Sequence, residues 1–337
     1  MRPLVPLLIL LALLPACGRA RLKRGEPAYV SAAQANLRDR VAEFYNKVGI
    51  VKNGERVEIL ERSRRFVRVR TEKGVEGWME QRYLVGQEVY DGFQKLMQEN
   101  RIAPPQASCT TRVETNLHLT PGRDTEHLYQ LSQGEKLSIL RRATAEKVLP
   151  GAAPKPKSDD KNAPPPVLED WWLVRDAQGR VGWVLARLVD IDVPLEIAQY
   201  AEGQRIVAAF VLDQVLDGDR KVPEYLVLLT DNQDGQPYDF TQIRVFTWNV
   251  KKHRYETAYR ERNLQAVLPV SVGREDVQKE GNLPVFSLLT VDDEGKRVVR
   301  KYKMNGVIVR RFYAPGEEPQ KPAKATQPAS RQKRKKK

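Results

Sequence analysis

Gly74-Val75-Glu76-Gly77-Trp78 recurs 105 residues later as Gly179-Arg180-Val181-Gly182-Trp183, and this recurrence decides the reading of the fold. Working outward at the same offset, Phe66 aligns with Trp171 and Val69-Arg70 with Val174-Arg175. Further upstream the offset is 80: Asn36-Leu37 with Asn116-Leu117, Gly54-Glu55 with Gly134-Glu135, and Val57-Glu58-Ile59-Leu60 with Leu137-Ser138-Ile139-Leu140. One insertion of 25 residues between Arg142 and Trp171 accounts for the change of offset. That stretch holds Pro150, Pro154, Pro156 and Pro164-Pro165-Pro166. Such a composition neither pairs in a ladder nor builds a core, so residues 143–168 are predicted to be an exposed extended loop. In both units a Gly-Glu turn precedes an alternating run, Val57 and Ile59 or Leu137 and Ile139, as in a half-buried strand.

The shared pattern runs Asn-Leu, then Gly-Glu before an alternating strand, then Phe or Trp, Val, and Gly-x-x-Gly-Trp. It resembles the bacterial SH3-like (Src homology 3 type) domain. Asn36-Leu37-Arg38, Gly54, Phe66, Val69 and Gly77-Trp78 carry the resemblance in the first copy. Asn116-Leu117, Gly134, Trp171, Val174 and Gly182-Trp183-Val184 carry it in the second. The first copy departs from the pattern at Asp39, where the second has Pro121-Gly122 further along, and at Met79. The resemblance implies two small β-barrels over residues 28–85 and 108–192. Barrels of this size need large buried side chains, which assigns Trp78 and Trp183 to their cores. Trp171 and Trp172 are adjacent and so face opposite sides of a strand. Register with Phe66 makes Trp171 the core member and Trp172 the outward one, either a ligand-binding platform or a ring covered by the Pro-rich loop.

Between the copies, Val89, Phe93, Leu96 and Met97 follow helical spacing within Gln87–Asn100, which predicts a short helix in a linker over residues 86–107. From 193 to 315 the chain reads as strand after strand, with Asp292-Asp293-Glu294-Gly295 and Met304-Asn305-Gly306 as hairpin turns. This predicts an antiparallel β-barrel or sandwich. The acidic stretch Asp231–Asp239 lacks the ligand spacing of a calcium loop and reads as a solvated hairpin loop. The fold class is therefore mainly β.

The first 16 residues, MRPLVPLLILLALLPA, place one Arg before an apolar run too short to span a bilayer. Leu14-Pro15-Ala16-Cys17 resembles the bacterial lipobox. That resemblance implies cleavage after residue 16, lipidation of Cys17, a tether over 17–27 and attachment to a membrane facing the periplasm. Gly18, where Asp would signal inner-membrane retention, favours the outer membrane. Two Cys and three scattered His rule out a disulfide framework and a Cys/His zinc cluster, so no metal site or cofactor is expected. Ser108-Cys109-Thr110 lacks the motif around the cysteine of NlpC-type cell-wall peptidases, and Cys109 reads as a small buried hydrophobe.

The formal charge of +14 is mostly a property of the ends: Lys321–Lys337 holds eight Lys and Arg and no acid. Behind a lipobox, this basic, Pro- and Ala-rich tail (316–337) has no nucleic acid to meet. Its candidate partners are anionic envelope polymers or lipids. The chain carries no Gly-x-Ser-x-Gly, no His-Glu-x-x-His and no phosphate-cradling glycine loop. The sequence thus predicts a membrane-anchored envelope lipoprotein acting as a non-enzymatic binding or scaffold protein, its SH3-like domains taking peptidoglycan or envelope proteins. The alternative is an envelope enzyme with its site in the C-terminal β domain and the barrels as targeting modules.

Overall fold

The computed structural model describes residues 25–148, 166–277, 280–292 and 294–312, and the chain divides into two compact units at Gln87/Glu88. The lipobox-like stretch with Cys17, the centre of the Pro-rich insertion and the basic tail lie outside the described residues.

The first unit is a single seven-stranded antiparallel sheet. Its strands are β1 (Glu26–Val30), β2 (Gln34–Arg38), β3 (Lys47–Lys52), β4 (Arg56–Ser63), β5 (Phe66–Thr71), β6 (Glu76–Glu80) and β7 (Leu84–Gly86). They lie in the order β3-β2-β6-β5-β4-β1-β7. Val30, Leu37, Val51, Val57, Val67, Val69 and Met79, drawn from six of these strands, form one buried cluster with Leu84 of the seventh packed against it. The sheet therefore curls around its own core. The Gly-Trp motif has a steric cause. A Cβ on Gly77 would lie 2.8 Å from Leu37 Cβ and 3.1 Å from the Arg38 carbonyl oxygen, so β2 and β6 meet this closely only over a glycine. At Gly182 the same contact recurs, with Leu117 Cβ at 2.7 Å.

The second unit begins with helix α1 (Gln87–Glu99, shared with the end of the first unit) and repeats the same sheet. Its strands are β8 (Ala107–Thr111), β9 (Thr115–His118), β10 (His127–Leu131), β11 (Lys136–Glu146), β12 (Leu168–Arg175), β13 (Val181–Leu185) and β14 (Val189–Ile191). Their order, β10-β9-β13-β12-β11-β8-β14, matches the first sheet strand for strand. The ends of the insertion are not loop. β11 and β12 stay paired out to Glu146↔Leu168, because Ala143, Thr144 and Ala145 continue the alternation before the prolines start.

After the short helix α2 (Leu195–Ala198) come two four-stranded antiparallel meanders. The first is β15 (Arg205–Asp217), β16 (Arg220–Thr230), β17 (Gln242–Asn249) and β18 (Arg254–Glu261). The second is β19 (Ala266–Val277), β20 (Gly281–Val291), β21 (Arg297–Asn305) and β22 (Ile308–Phe312). β16 is buried on both faces: Tyr225, Val227 and Leu229 pack with Ile197 of α2, while Leu226 and Leu228 face the opposite way and are also buried. Tyr302 is fully buried and donates to Glu261 at 2.8 Å, tying β21 to β18.

The segment Asp231–Asp239 is solvent-exposed over Asp231–Asp234, as expected of a solvated loop, but it is not free. It docks onto the β11–β12 hairpin. Arg142 donates to the carbonyls of Gln236 and Tyr238, both at 2.6 Å, and to Asp239 at 2.8 Å. Asp170 accepts from Arg142 at 2.6 Å, from Arg205 at 2.9 Å and from the Gly235 amide at 2.9 Å. Read locally, turn residues and acids look solvated; their partners on the hairpin lie 65–97 positions away in sequence.

Candidate ligand-binding face

The first barrel presents an aromatic face built around the β2–β3 loop. Asp39 closes that loop. Its amide donates to the Asn46 carbonyl at 3.0 Å, and its carboxylate accepts from the Asn46 amide at 2.9 Å and side chain at 3.1 Å. The Arg40 side chain, then these Asn46 bonds, pull the Asp39 carboxyl down to about 2, so the clasp stays ionised at neutral pH. The closed loop holds Phe44 out at 86% exposure, with Tyr45, Val48 and Ile50 also exposed. Beneath it, the Arg38 guanidinium lies 4.1 Å from the Tyr45 ring centroid and 5.2 Å from that of Phe66. Arg65 stacks over the same Phe66 ring at 5.3 Å. Trp78, paired with Arg38 across β2–β6 and with Arg68 across β5–β6, is half-buried on this outer face. The rest of the face is charged, with Arg68 and Arg70 both bonded to Glu76.

The second barrel keeps the geometry and covers it. Trp171 and Trp183 stand where Phe66 and Trp78 stand, and His118 packs edge-on to Trp171 at 5.2 Å, as Arg38 stacks on Phe66. Leu173, Val181 and Leu185 replace Arg68, Glu76 and Glu80. Against this apolar surface pack Leu96 and Met97 of α1 and Ala103 beyond it. Phe93 meets Tyr129 edge-on at 5.3 Å, and Arg175 clamps the segment after the helix by donating to the carbonyls of Asn100, Arg101 and Ala103. Burial, and then the nearby His127, push the His118 imidazole down to about 4, so it is neutral where Arg38 is cationic.

These placements correct the assignment of the tryptophans. Trp172 is not an outward platform: it is 3% exposed and sits where the first barrel has its core residue Val67. Trp171 and Trp183 are buried as expected, in a cluster closed by Leu96 and Met97 of α1 on the outer face, whereas Trp78 is only half-buried and is no core residue. In the first barrel Val67, Val69 and Met79 point inward, so Phe66 and Trp78 point out; large size alone misled the assignment. Trp172 does line a cavity of about 430 Å3, facing Val193, Arg205 and Ile206 of the following β region. Cys109, the only cysteine among the described residues, is fully buried, and that burial raises its thiol to about 12, which removes it as a nucleophile.

Among the described residues no group of three His, Cys, Asp or Glu is placed to hold a metal ion. The C-terminal β region has a polar cavity of about 460 Å3 lined by Glu202, Asp231, Tyr238, Gln242 and Arg262. Hydrogen bonds from Arg244 and Arg260 hold the Glu202 carboxyl below its usual range.

The family model of the bacterial SH3 domain matches residues 33–85, the stretch that carries the clasped loop and the aromatic face. Residues 33–85 are a bacterial SH3 domain. The C-terminal part of the chain matches no family model. No curated protein matches the sequence. Among solved structures, the chain is similar to an NlpC/P60 family protein from Bacillus cereus, at 10% identity and a TM-score of 0.23, covering 81% of this chain and 93% of that one. It is also similar to NlpC2 and NlpC1 from Trichomonas vaginalis, each at 10% identity and a TM-score of 0.17. The first pair covers 86% of this chain and 98% of that chain; the second covers 82% and 87%. With NlpC/P60 family proteins among these structures, the expectation of a non-enzymatic protein is withdrawn. Missing motifs were its whole basis, and a fold can bring acids and bases together from distant positions. At these TM-scores the likeness assigns no fold, activity or residue to the chain.

Proposed function

We propose that this chain is an envelope-anchored protein that binds peptidoglycan through the open aromatic face of its SH3 domain. The observation that carries the reading is the contrast between two matching faces: Phe44, Tyr45 and Trp78 reach solvent on one barrel, while α1 seals the equivalent face on the other. An exposed aromatic patch on a rigid sheet is a low-entropy platform for a ligand. The test is co-sedimentation of the full chain with purified sacculi. Wild type pellets with them, and Phe44→Ala with Tyr45→Ala stays in the supernatant while keeping its melting temperature. Pelleting of both alike sinks the reading. Protein capture in place of sacculus binding would make the partner an envelope protein.

The anchoring half of the proposal rests on Leu14-Pro15-Ala16-Cys17 after a short apolar run. A clickable fatty acid should label the wild type and leave Cys17→Ala unlabelled; equal label on both ends the lipoprotein reading. Once anchored, the basic tail meets anionic envelope lipid or polymer.

A second reading, an envelope enzyme delivered to its substrate by the SH3 domain, is favoured by the polar cavity beside Glu202 and Asp231. Release of soluble fragments from sacculi by the wild type, lost in Asp231→Asn with sacculus binding retained, supports it. No release by the wild type ends it.

A further inference from the structure

We propose that the SH3 domain recognises carboxylates on an acidic peptide, with Arg38 and Arg65 as its two cationic contacts; this rests on the peptidoglycan reading above and names the part of that polymer the face takes. Three observations carry the inference. The first is that these guanidiniums are uncommitted. Around them Arg40 pairs with Asp39, Arg68 and Arg70 with Glu76, and Arg82 with Glu80. Arg38 and Arg65 form no ion pair with a described residue and are held only by stacking on Tyr45 and Phe66. Stacking on a ring face leaves the guanidinium's N–H edge free for the bidentate hydrogen bonding that carboxylates prefer.

The second observation is reach. Both guanidiniums lie over one ring, within 5.3 Å of its centroid, so they stand no more than about 11 Å apart, a span three residues of extended peptide cover. Tyr45 beneath the Arg38 guanidinium, its neighbour Phe44 and Trp78, the strand partner of Arg38, supply apolar surface for the rest of the peptide.

The third observation is the internal control in the second barrel. The position of Arg38 is His118 there, kept neutral by burial. The positions of Arg64 and Arg65 are Glu169 and Asp170, engaged by Arg123 and by Arg142 with Arg205. The barrel that covers its face with its own helix lacks a cation at both of these positions, with Arg141 stacked over Trp183 at 5.5 Å instead, and the barrel that leaves its face open has a cation at both. The cations at these two positions therefore go with the open face.

The experiment compares the full chain on untreated sacculi, on sacculi whose carboxyls have been capped as amides, and on a fluorescent Ala-Glu-Ala peptide with its amidated form. Wild type should bind untreated sacculi and the free-acid peptide about tenfold or more tightly than their amidated counterparts, as loss of charge-assisted bonds implies. Arg38→Gln with Arg65→Gln should bring the untreated probes down to the amidated level. Arg220→Gln with Lys221→Gln, which removes the same charge from an exposed hairpin in the other unit, should change neither. Equal binding to capped and uncapped sacculi overturns the carboxylate and leaves the peptidoglycan reading standing. Binding to the peptide without binding to sacculi upholds the carboxylate and sinks the wall polymer. No binding to any probe overturns both.

Discussion

Trp172→Ala should destabilise residues 88–312 by about 3–5 kcal/mol, the range for truncating a buried Trp. Trp78→Ala, on a half-buried outer position, should cost about 1 kcal/mol. Urea melts followed by far-ultraviolet circular dichroism check both, and a Trp78 variant as damaged as the Trp172 variant would overturn the inward and outward assignment. The pair shows why a tryptophan's size does not tell its direction: strand neighbours alternate, and the reference residue decides which side is in. Val67 and Val69, small and β-branched, were the core members, and their positions 105 residues on are Trp172 and Val174. His118 makes a prediction of its own. Its folded value of about 4 lies below the ordinary 6.5, so the folded state binds its proton later than the unfolded chain does. The stabilisation from keeping it neutral is present above about pH 6.5 and is lost as pH falls toward 4, amounting to about 3 kcal/mol at most. The urea midpoint of the second unit should fall over that window in the wild type and fall less in His118→Gln.

Helix α1 is the element that distinguishes the outer faces of the two barrels. Its apolar side, Phe93, Leu96 and Met97, is spent on Tyr129 and on the cluster around Trp171 and Trp183. Leu96→Ala with Met97→Ala should lower the stability of the second unit by about 2 kcal/mol or more. It should also shift tryptophan emission to the red as the indoles meet water. Unchanged emission would mean that the helix does not cover those rings. The helix was legible from its periodicity alone. Its docking site was not, although the structure shows where the two repeats differ. Arg68, Glu76 and Glu80 become Leu173, Val181 and Leu185, and one strand face turning from charged to apolar between repeats means that something covers it. The open face in the SH3 domain carried a weaker signal, because Phe44 and Tyr45 sit in a loop whose closure depends on the Asp39–Asn46 clasp.

At the scale of the molecule, the second barrel and the two meanders behave as one unit because a charge network joins them. Arg142 is 5% exposed and Asp170 wholly buried in their side chains, and the network reaches Asp239, Arg205 and Asp234. Removing one partner leaves a buried charge uncompensated, which costs about 3–5 kcal/mol. Arg142→Ala should therefore split the unfolding of the second unit into two transitions, barrel and meanders, in differential scanning calorimetry. A single transition at an unchanged temperature would show that the network does not couple them. The first unit, which holds no member of this network, should melt as in the wild type.

The strands, the repeat, the insertion and the helix were determined by the sequence alone. They follow from local causes: alternation of apolar residues, glycines at positive φ such as Gly54 and Gly134, and apolar spacing near 3.6. Eight strands after residue 204 were legible for the same reason, although no family accompanies them. Only the tertiary structure decided which face of each barrel is open, that Asp231–Asp239 is a docking segment, and that Arg38 and Arg65 converge on Phe66. Those outcomes depend on pairs far apart in the chain, and a residue's burial is set by what arrives from elsewhere, which no local pattern records.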